Sequence, residues 1–108
     1  MKSITWNEME LRLTTRGIVK IEEVLKKNLI SIFVEDGKDR IPTVGEITLV
    51  LFYAIQPHVK NIDAVYDIVD EYYDNGGSFT DLVAVIVKLF QESGVLPKEV
   101  PQEEETKN

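Results

Sequence analysis

The chain is short of the residue types that most active sites and metal sites need. It has no cysteine and a single histidine, His58. Disulfides, thiolate metal sites, sites built on several imidazoles and relays that need two histidines are therefore excluded. The longest apolar run, from Leu49 to Ile55, is far shorter than the ~20 residues that a membrane helix needs. We expect no enzymatic activity, no cofactor, no metal ion and no contact with a membrane.

Basic residues are also few, and one long stretch has none. The 108 residues carry 19 acidic and 12 basic side chains, which gives a net charge of −7, and residues 61–87 contain no Lys, Arg or His. Binding to a phosphate backbone is disfavoured, so we predict no nucleic-acid partner. The N-terminus lacks the apolar segment of a signal peptide, and the absence of cysteine suits a reducing compartment. The predicted location is the cytoplasm.

Composition predicts one folded domain followed by an acidic tail. A length of 108 residues with 44% hydrophobic side chains suits one small globular domain, which we place at residues 1–96. Residues 97–108 hold two prolines, four glutamates and one apolar residue, too little apolar surface to offset the entropy lost on ordering. We therefore predict a disordered acidic tail over residues 97–108.

Hydrophobic periodicity predicts a short hairpin and four helices. Apolar residues alternate in residues 2–6 and 9–13, on either side of Asn7 and Glu8, which is typical of a hairpin. Helical spacing then recurs in four segments, whose predicted N-caps are Thr14 or Thr15, Thr43 in a capping box with Glu46, Asn61, and Ser78 or Thr80. The predicted fold is mainly α, a small four-helix bundle-like domain with a short N-terminal β-hairpin or strand.

Helix boundaries are predicted from the same pattern. The first helix is expected from about Arg16 to Asn28, with Val34 as its furthest end, and Glu22–Lys26 and Glu23–Lys27 are predicted i,i+4 ion pairs. The remaining helices are expected to end at Gln56, near Asn75 and at Ser93.

The third helix carries an unusual distribution of charge. Its acidic residues project from the side opposite its apolar stripe, and they are Asp63, Asp67, Asp70, Glu71 and Asp74. Like charges at i,i+4 cost ~0.2–0.5 kcal/mol per pair in an isolated helix. Two interpretations stay open: a solvated acidic face, which is the plainer one, and a docking surface for a basic partner segment.

Aromatic residues supply the other candidate binding positions. The second helix is apolar almost all round, so we expect it to be central in the domain, half of an intersubunit contact, or both. Phe52 and Tyr53 on that helix are therefore candidates for partner binding, although such residues more often lie in a core. Trp6, near the N-terminus, is a candidate for a binding edge, where a partner strand could also add.

A basic strip on the first helix suggests self-association. Arg16, Lys20 and Lys27 lie on its outer side, where a neighbouring subunit could bring its acidic face. A homo-oligomer is therefore predicted, with a contact that weakens as salt is raised.

Three segments resemble the tail assembly chaperones of long-tailed phages and prophages of Gram-positive bacteria. They are LRLTTRGIVKIEEVLKKNLISIF from Leu11, IPTVGEITLVLFYAIQP from Ile41, and residues 65–95. Each is a helix pattern and not a catalytic signature, and the likeness lies mainly in their order.

That resemblance implies a mainly helical, non-enzymatic protein. Such a protein binds the tape measure protein and the tail tube subunit during tail building, acts in the bacterial cytoplasm and is absent from the finished particle. Two other classes remain open: an acidic inhibitor or nucleic-acid mimic that targets a host DNA-binding protein, and a small enzyme, which ranks last.

Overall fold

The computed structural model describes residues 2–98, and the chain begins with an antiparallel hairpin. Strands β1 (Ser3–Trp6) and β2 (Met9–Arg12) are paired from Ser3 opposite Arg12 to Trp6 opposite Met9. Both residues of the connecting turn have positive φ, 54° at Asn7 and 64° at Glu8. This geometry follows the right-handed twist of the two strands, and the predicted hairpin is confirmed.

Four α-helices follow within the described residues: α1 (Thr15–Leu25), α2 (Val44–Ala54), α3 (Ile62–Asp74) and α4 (Phe79–Ser93). Each begins where a polar side chain accepts a backbone N–H of the first turn, and these N-caps are Thr14, Thr43, Asn61 and Ser78. The capping box between Thr43 and Glu46 is complete. The predicted caps are therefore confirmed, because capping depends on residues three apart in the chain.

Helix α1 ends earlier than its sequence pattern predicts. Lys26 adopts a left-handed conformation, with φ 60° and ψ 36°, and closes the helix. The chain then turns into a 3₁₀ segment, Leu29–Ile32, because the Glu22 carboxylate accepts the Leu29 amide at 2.8 Å. That bond occupies Glu22, and Lys27 pairs with Glu46, so the predicted i,i+4 ion pairs do not form.

The prediction of a mainly α bundle is wrong, because the fold is mixed α and β. Strand β5 (Ile55–Gln56) directly follows α2 and pairs with β2, which gives residues 2–98 an antiparallel sheet of order β1-β2-β5. Strands β3 (Val34–Glu35) and β4 (Lys38–Asp39) form a second, two-stranded sheet around an Asp-Gly turn. Strands of two residues are too short to show alternation. Pro57 also biases Gln56 toward an extended backbone, so the predicted helix end at Gln56 is really a strand.

Helix α2 lies at the centre of one hydrophobic core. It contacts α1, α3, α4 and β2, and Ile47, Val50, Leu51 and Ala54 are buried along it. The central position predicted as one alternative for this helix is therefore the one observed. The four helices and the three-stranded sheet share this core, whereas the predicted tail lies, from residue 99 onward, outside the described residues.

A buried carboxylate ties the central segments together. Glu46 is 8% exposed and accepts from the Lys27 ammonium at 2.8 Å, from Arg40 Nη1 at 3.1 Å and from the Thr43 amide at 2.9 Å. Arg40 Nη1 also donates to the carbonyl oxygens of Ser31 and Ile32, at 3.3 and 3.1 Å. The start of α2, the end of α1 and the 3₁₀ segment are thus joined at one side chain.

Candidate functional site

The acidic face of α3 is open to solvent. All five of its carboxylates, at Asp63, Asp67, Asp70, Glu71 and Asp74, are exposed. Within residues 2–98 none of them forms an ion pair, since every ion pair in that range lies elsewhere. Their mutual repulsion is therefore uncompensated, and the face is accessible to a basic partner.

The pKa of Tyr73, on the flank of α3, depends on its burial and on the charge nearby. Burial raises the pKa of its hydroxyl, and the neighbouring Tyr72 and the Asp70 carboxylate raise that pKa further. The Tyr73 side chain is therefore neutral at physiological pH and belongs to the packed side of the helix.

The acidic face has two distinct edges. With 100° between successive residues, Glu71 turns toward the same side as Ile68 and Asn75, whereas Asp63 and Asp70 turn toward the side of Tyr66. The first edge meets the turn of the β1–β2 hairpin. Tyr66 is 47% exposed on the second, so each edge offers a different surface to a partner.

A cleft separates the hairpin turn from α3. Its volume is about 400 Å³, and its lining comprises Asn7, Glu8, Met9, Ile68, Glu71 and Asn75. Two carboxylates thus stand beside two apolar side chains. That combination matches a lysine or arginine side chain, whose stem is apolar and whose tip is cationic.

Glu8, which borders the cleft, has a left-handed backbone conformation with φ of 64°. A left-handed backbone costs an L-residue with a Cβ about 1–2 kcal/mol, and glycine is the residue that two-residue turns of this kind favour at the second position. Strained residues cluster at functional sites when the surrounding structure over-determines them. The Glu8 carboxylate is therefore the feature of this turn that calls for a functional explanation.

Replacing Glu8 by glycine is expected to raise the free energy of unfolding by about 0.5–1 kcal/mol, because relief of the positive-φ strain exceeds the entropy added to the unfolded chain. Urea unfolding of both proteins measures this difference. Asn7→Gly is the matched control, and it should be close to neutral because asparagine tolerates positive φ. An unchanged or lowered stability for Glu8→Gly would show that the Glu8 side chain contributes to the fold.

Phe52 and Tyr53 line a second depression, between the start of α1 and the end of α2. Their rings meet edge to face with centroids 4.9 Å apart. The groove has a volume of about 260 Å³, and its lining comprises Thr14, Arg16, Gly17, Lys20, Phe52, Tyr53, His58 and Val59. No acidic residue lines it. The apolar floor and basic rim suit an apolar side chain surrounded by negative charge.

Trp6 lies in the core. Its side chain is 5% exposed, and its ring packs on Tyr72 with centroids 5.1 Å apart. A partner strand that reached the free edge of β1 would meet backbone groups and not this ring.

Reasoning from the sequence missed several surface residues. Glu8 was part of a predicted turn only, although an acidic residue where a two-residue turn favours glycine is a detectable signal. His58, the single histidine, is exposed and borders the groove. Lys27 belongs to the predicted basic strip, but its ammonium binds Glu46, which leaves Arg16 and Lys20 as the strip's members at the groove.

The described part of the chain has no metal-binding cluster: no group of three His, Asp or Glu side chains in residues 2–98 could hold a metal ion. No helix in that range is both long and apolar enough to cross a membrane. The cleft and the groove can bind side chains of complementary charge.

The described residues form a small mixed α and β domain with two depressions lined by charged residues. Residues 2–108 match the model of DUF6096, a family of unknown function, and the chain belongs to that family. No curated protein matches the sequence, and no solved structure matches the fold.

Proposed function

We propose that this protein is a non-enzymatic tail assembly chaperone of a phage or prophage, which binds the tape measure protein and tail tube subunits in the bacterial cytoplasm and leaves before the particle is finished. The order of the three segments that resemble those of tail assembly chaperones supports this proposal. So does an exposed acidic face that has no ion-pair partner within the described chain.

The observation that carries the proposal is the cleft between the hairpin turn and α3. Glu8 and Glu71 border it together with Met9 and Ile68. On this proposal a lysine or arginine of the partner lays its stem on the two apolar side chains and its charge between the two carboxylates. Each such contact is weak, and copies bound along one extended partner gain avidity from effective concentration.

The mechanism is stoichiometric masking. A coat of chaperone copies would cover the apolar surface of the tape measure protein until tube subunits polymerise around it and displace the coat. Electrostatic complementarity at the cleft would speed the encounter and select the partner more than it would add affinity, so the contact can be displaced.

The test is affinity purification of a tagged copy from its lysogen after prophage induction, with mass spectrometry of every co-purifying protein. We expect the tape measure and tail tube proteins with the wild-type chain. The double variant Glu8→Gln, Glu71→Gln should bind the tape measure protein about tenfold more weakly, since it loses both charges of the cleft.

The matched control is Glu23→Gln with Asp39→Asn, which removes two exposed carboxylates outside the cleft. It should bind like the wild type. Equal loss in both variants would show that net charge, and not the cleft, governs binding. Recovery of a host DNA-binding protein in place of the tail proteins would contradict the chaperone proposal and favour the acidic inhibitor or nucleic-acid mimic.

A further inference from the structure

The groove between α1 and α2 has the properties of a socket for one apolar side chain. It is lined by the partly buried Phe52 and Tyr53 and by the exposed Arg16, Lys20 and His58. At Gly17, helix α1 lies in van der Waals range of α2, since a Cβ at this position would lie 3.6 Å from the Tyr53 carbonyl oxygen. The volume of about 260 Å³ is below the ~300–1,000 Å³ typical of small-molecule sites.

The same chain presents an exposed aromatic side chain of matching chemistry, Tyr66, which we call the knob. Tyr66 is the one aromatic residue among the large hydrophobic side chains that are most exposed in residues 2–98. On α3, Asp63 and Asp70, at i−3 and i+4, lie on one side of Tyr66, with Asp67 next to them on the acidic face. Ile62 and Val69, at i−4 and i+3, lie on its other side. An aromatic side chain with carboxylates on one side is complementary to an aromatic surface bordered by Arg16 and Lys20.

We propose that a second copy of this chain occupies the groove: Tyr66 of one copy packs on Phe52 and Tyr53 of the next, and the carboxylates beside it pair with Arg16 and Lys20. The inference does not rest on the proposed function. On α3, Tyr66 and Asp70 lie on the edge away from Glu71, which borders the cleft at the hairpin turn.

The socket and the knob lie on different helices of one chain, so the contact joins two different surfaces. Two copies that exchange knobs reciprocally form a closed symmetric dimer. A one-way contact leaves an unused socket on one end copy and an unused knob on the other, and association then extends into a filament or closes into a ring.

A first test is whether added salt weakens or strengthens self-association. The whole chain has a net charge of −7, so two copies that associate through apolar contact alone would repel one another, and added salt would tighten them. Pairing across the groove predicts the opposite result. In sedimentation velocity we expect oligomers at low ionic strength that dissociate as salt is raised, and association that grows with salt would overturn the proposal.

Complementation between two variants gives the decisive test. The socket variant, Arg16→Glu with Lys20→Glu, retains a wild-type knob. The knob variant, Tyr66→Ala with Asp67→Asn and Asp70→Asn, retains a wild-type socket. Each should self-associate at least about tenfold more weakly than the wild type, and an equimolar mixture should form a one-to-one heterodimer that grows no further.

Both variants are designed to fold. All four charged positions and Tyr66 are exposed, an acid at position 16 suits the N-terminal end of α1, and loss of the α3 carboxylates relieves repulsion. Circular dichroism checks this. Lys2→Glu with Lys88→Glu makes the same change in net charge at exposed positions outside the groove, and it should associate more like the wild type than the socket variant does.

The proposal is overturned if the wild-type chain is monomeric at every concentration, if the Lys2 and Lys88 control matches the socket variant, or if the folded mixture stays monomeric. None of these outcomes concerns the tape measure protein, and loss of that partner with intact self-association would count against the proposed function alone.

Discussion

Replacing Trp6 by alanine is expected to lower the free energy of unfolding by about 3–5 kcal/mol, which is the usual cost of truncating a large buried aromatic residue. The side chain is 5% exposed and stacks on Tyr72. Tyr72 in turn covers Gly77, where an added Cβ would overlap its ring. A cavity at Trp6 therefore undermines the contact between the hairpin and α3, which the proposed partner cleft requires.

Phenylalanine at position 6 is the matched control for that result. Within residues 2–98 no acceptor reaches the buried indole Nε1, and an unpaired buried donor costs about 1–3 kcal/mol. Trp6→Phe loses part of the ring but also removes this penalty, so we expect a net change of about 1 kcal/mol or less. Trp6 is the only tryptophan, so unfolding of the three proteins is followed by circular dichroism. A Trp6→Ala variant as stable as the wild type would place the ring outside the core.

Replacing Glu46 by alanine is expected to cost about 2–4 kcal/mol, close to the range for breaking a buried ion pair but reduced because Lys27 and Arg40 remain partly exposed. Three donors converge on this carboxylate, and the change leaves the Thr43 amide without its partner. Thermal and urea unfolding measure the loss. Glu46→Gln keeps an acceptor for the Thr43 amide and should cost about half as much, whereas equal losses would assign the effect to the ion pairs with Lys27 and Arg40.

The same site predicts a dependence of stability on pH. Burial alone would raise the pKa of Glu46, but hydrogen bonds from Lys27, the Thr43 amide and Arg40 outweigh it, and the pKa lies below its ordinary value. A carboxyl whose folded pKa is depressed stabilises the fold above its unfolded pKa, about 4.3 for glutamate, and loses that contribution as pH falls through the folded pKa. The stability gap between wild type and Glu46→Gln should therefore shrink below about pH 4.3. A constant gap would contradict an ionised Glu46.

Local sequence signals predicted much of the fold. The four N-caps and the hairpin turn depend on residues within three or four positions of one another, so Thr43 and Glu46 alone specify the start of α2. Strand β5 and the early end of α1 were not predicted. The first requires β2 to lie alongside, and the second requires Glu22 to reach the Leu29 amide, both of which involve contacts that periodicity does not contain.

The candidate surfaces divide in the same way. Helical spacing predicted the acidic face of α3, and all five carboxylates are exposed there. It did not predict that Glu8 and Glu71 border one cleft, or that His58 joins Arg16 at a groove, because these residues are distant in the chain.

The sequence by itself determined where helices begin and which side of α3 is acidic. It also determined that the chain has no cysteine and one histidine for chemistry. Only the tertiary structure decided that Trp6 lies in the core and that Lys27 binds Glu46 of the same chain. It also decided that Phe52 and Tyr53 line a groove together with Arg16 and Lys20. The reason is physical. Capping and amphipathic period arise from short-range geometry along one element, whereas burial and ion pairing depend on which elements the core brings together.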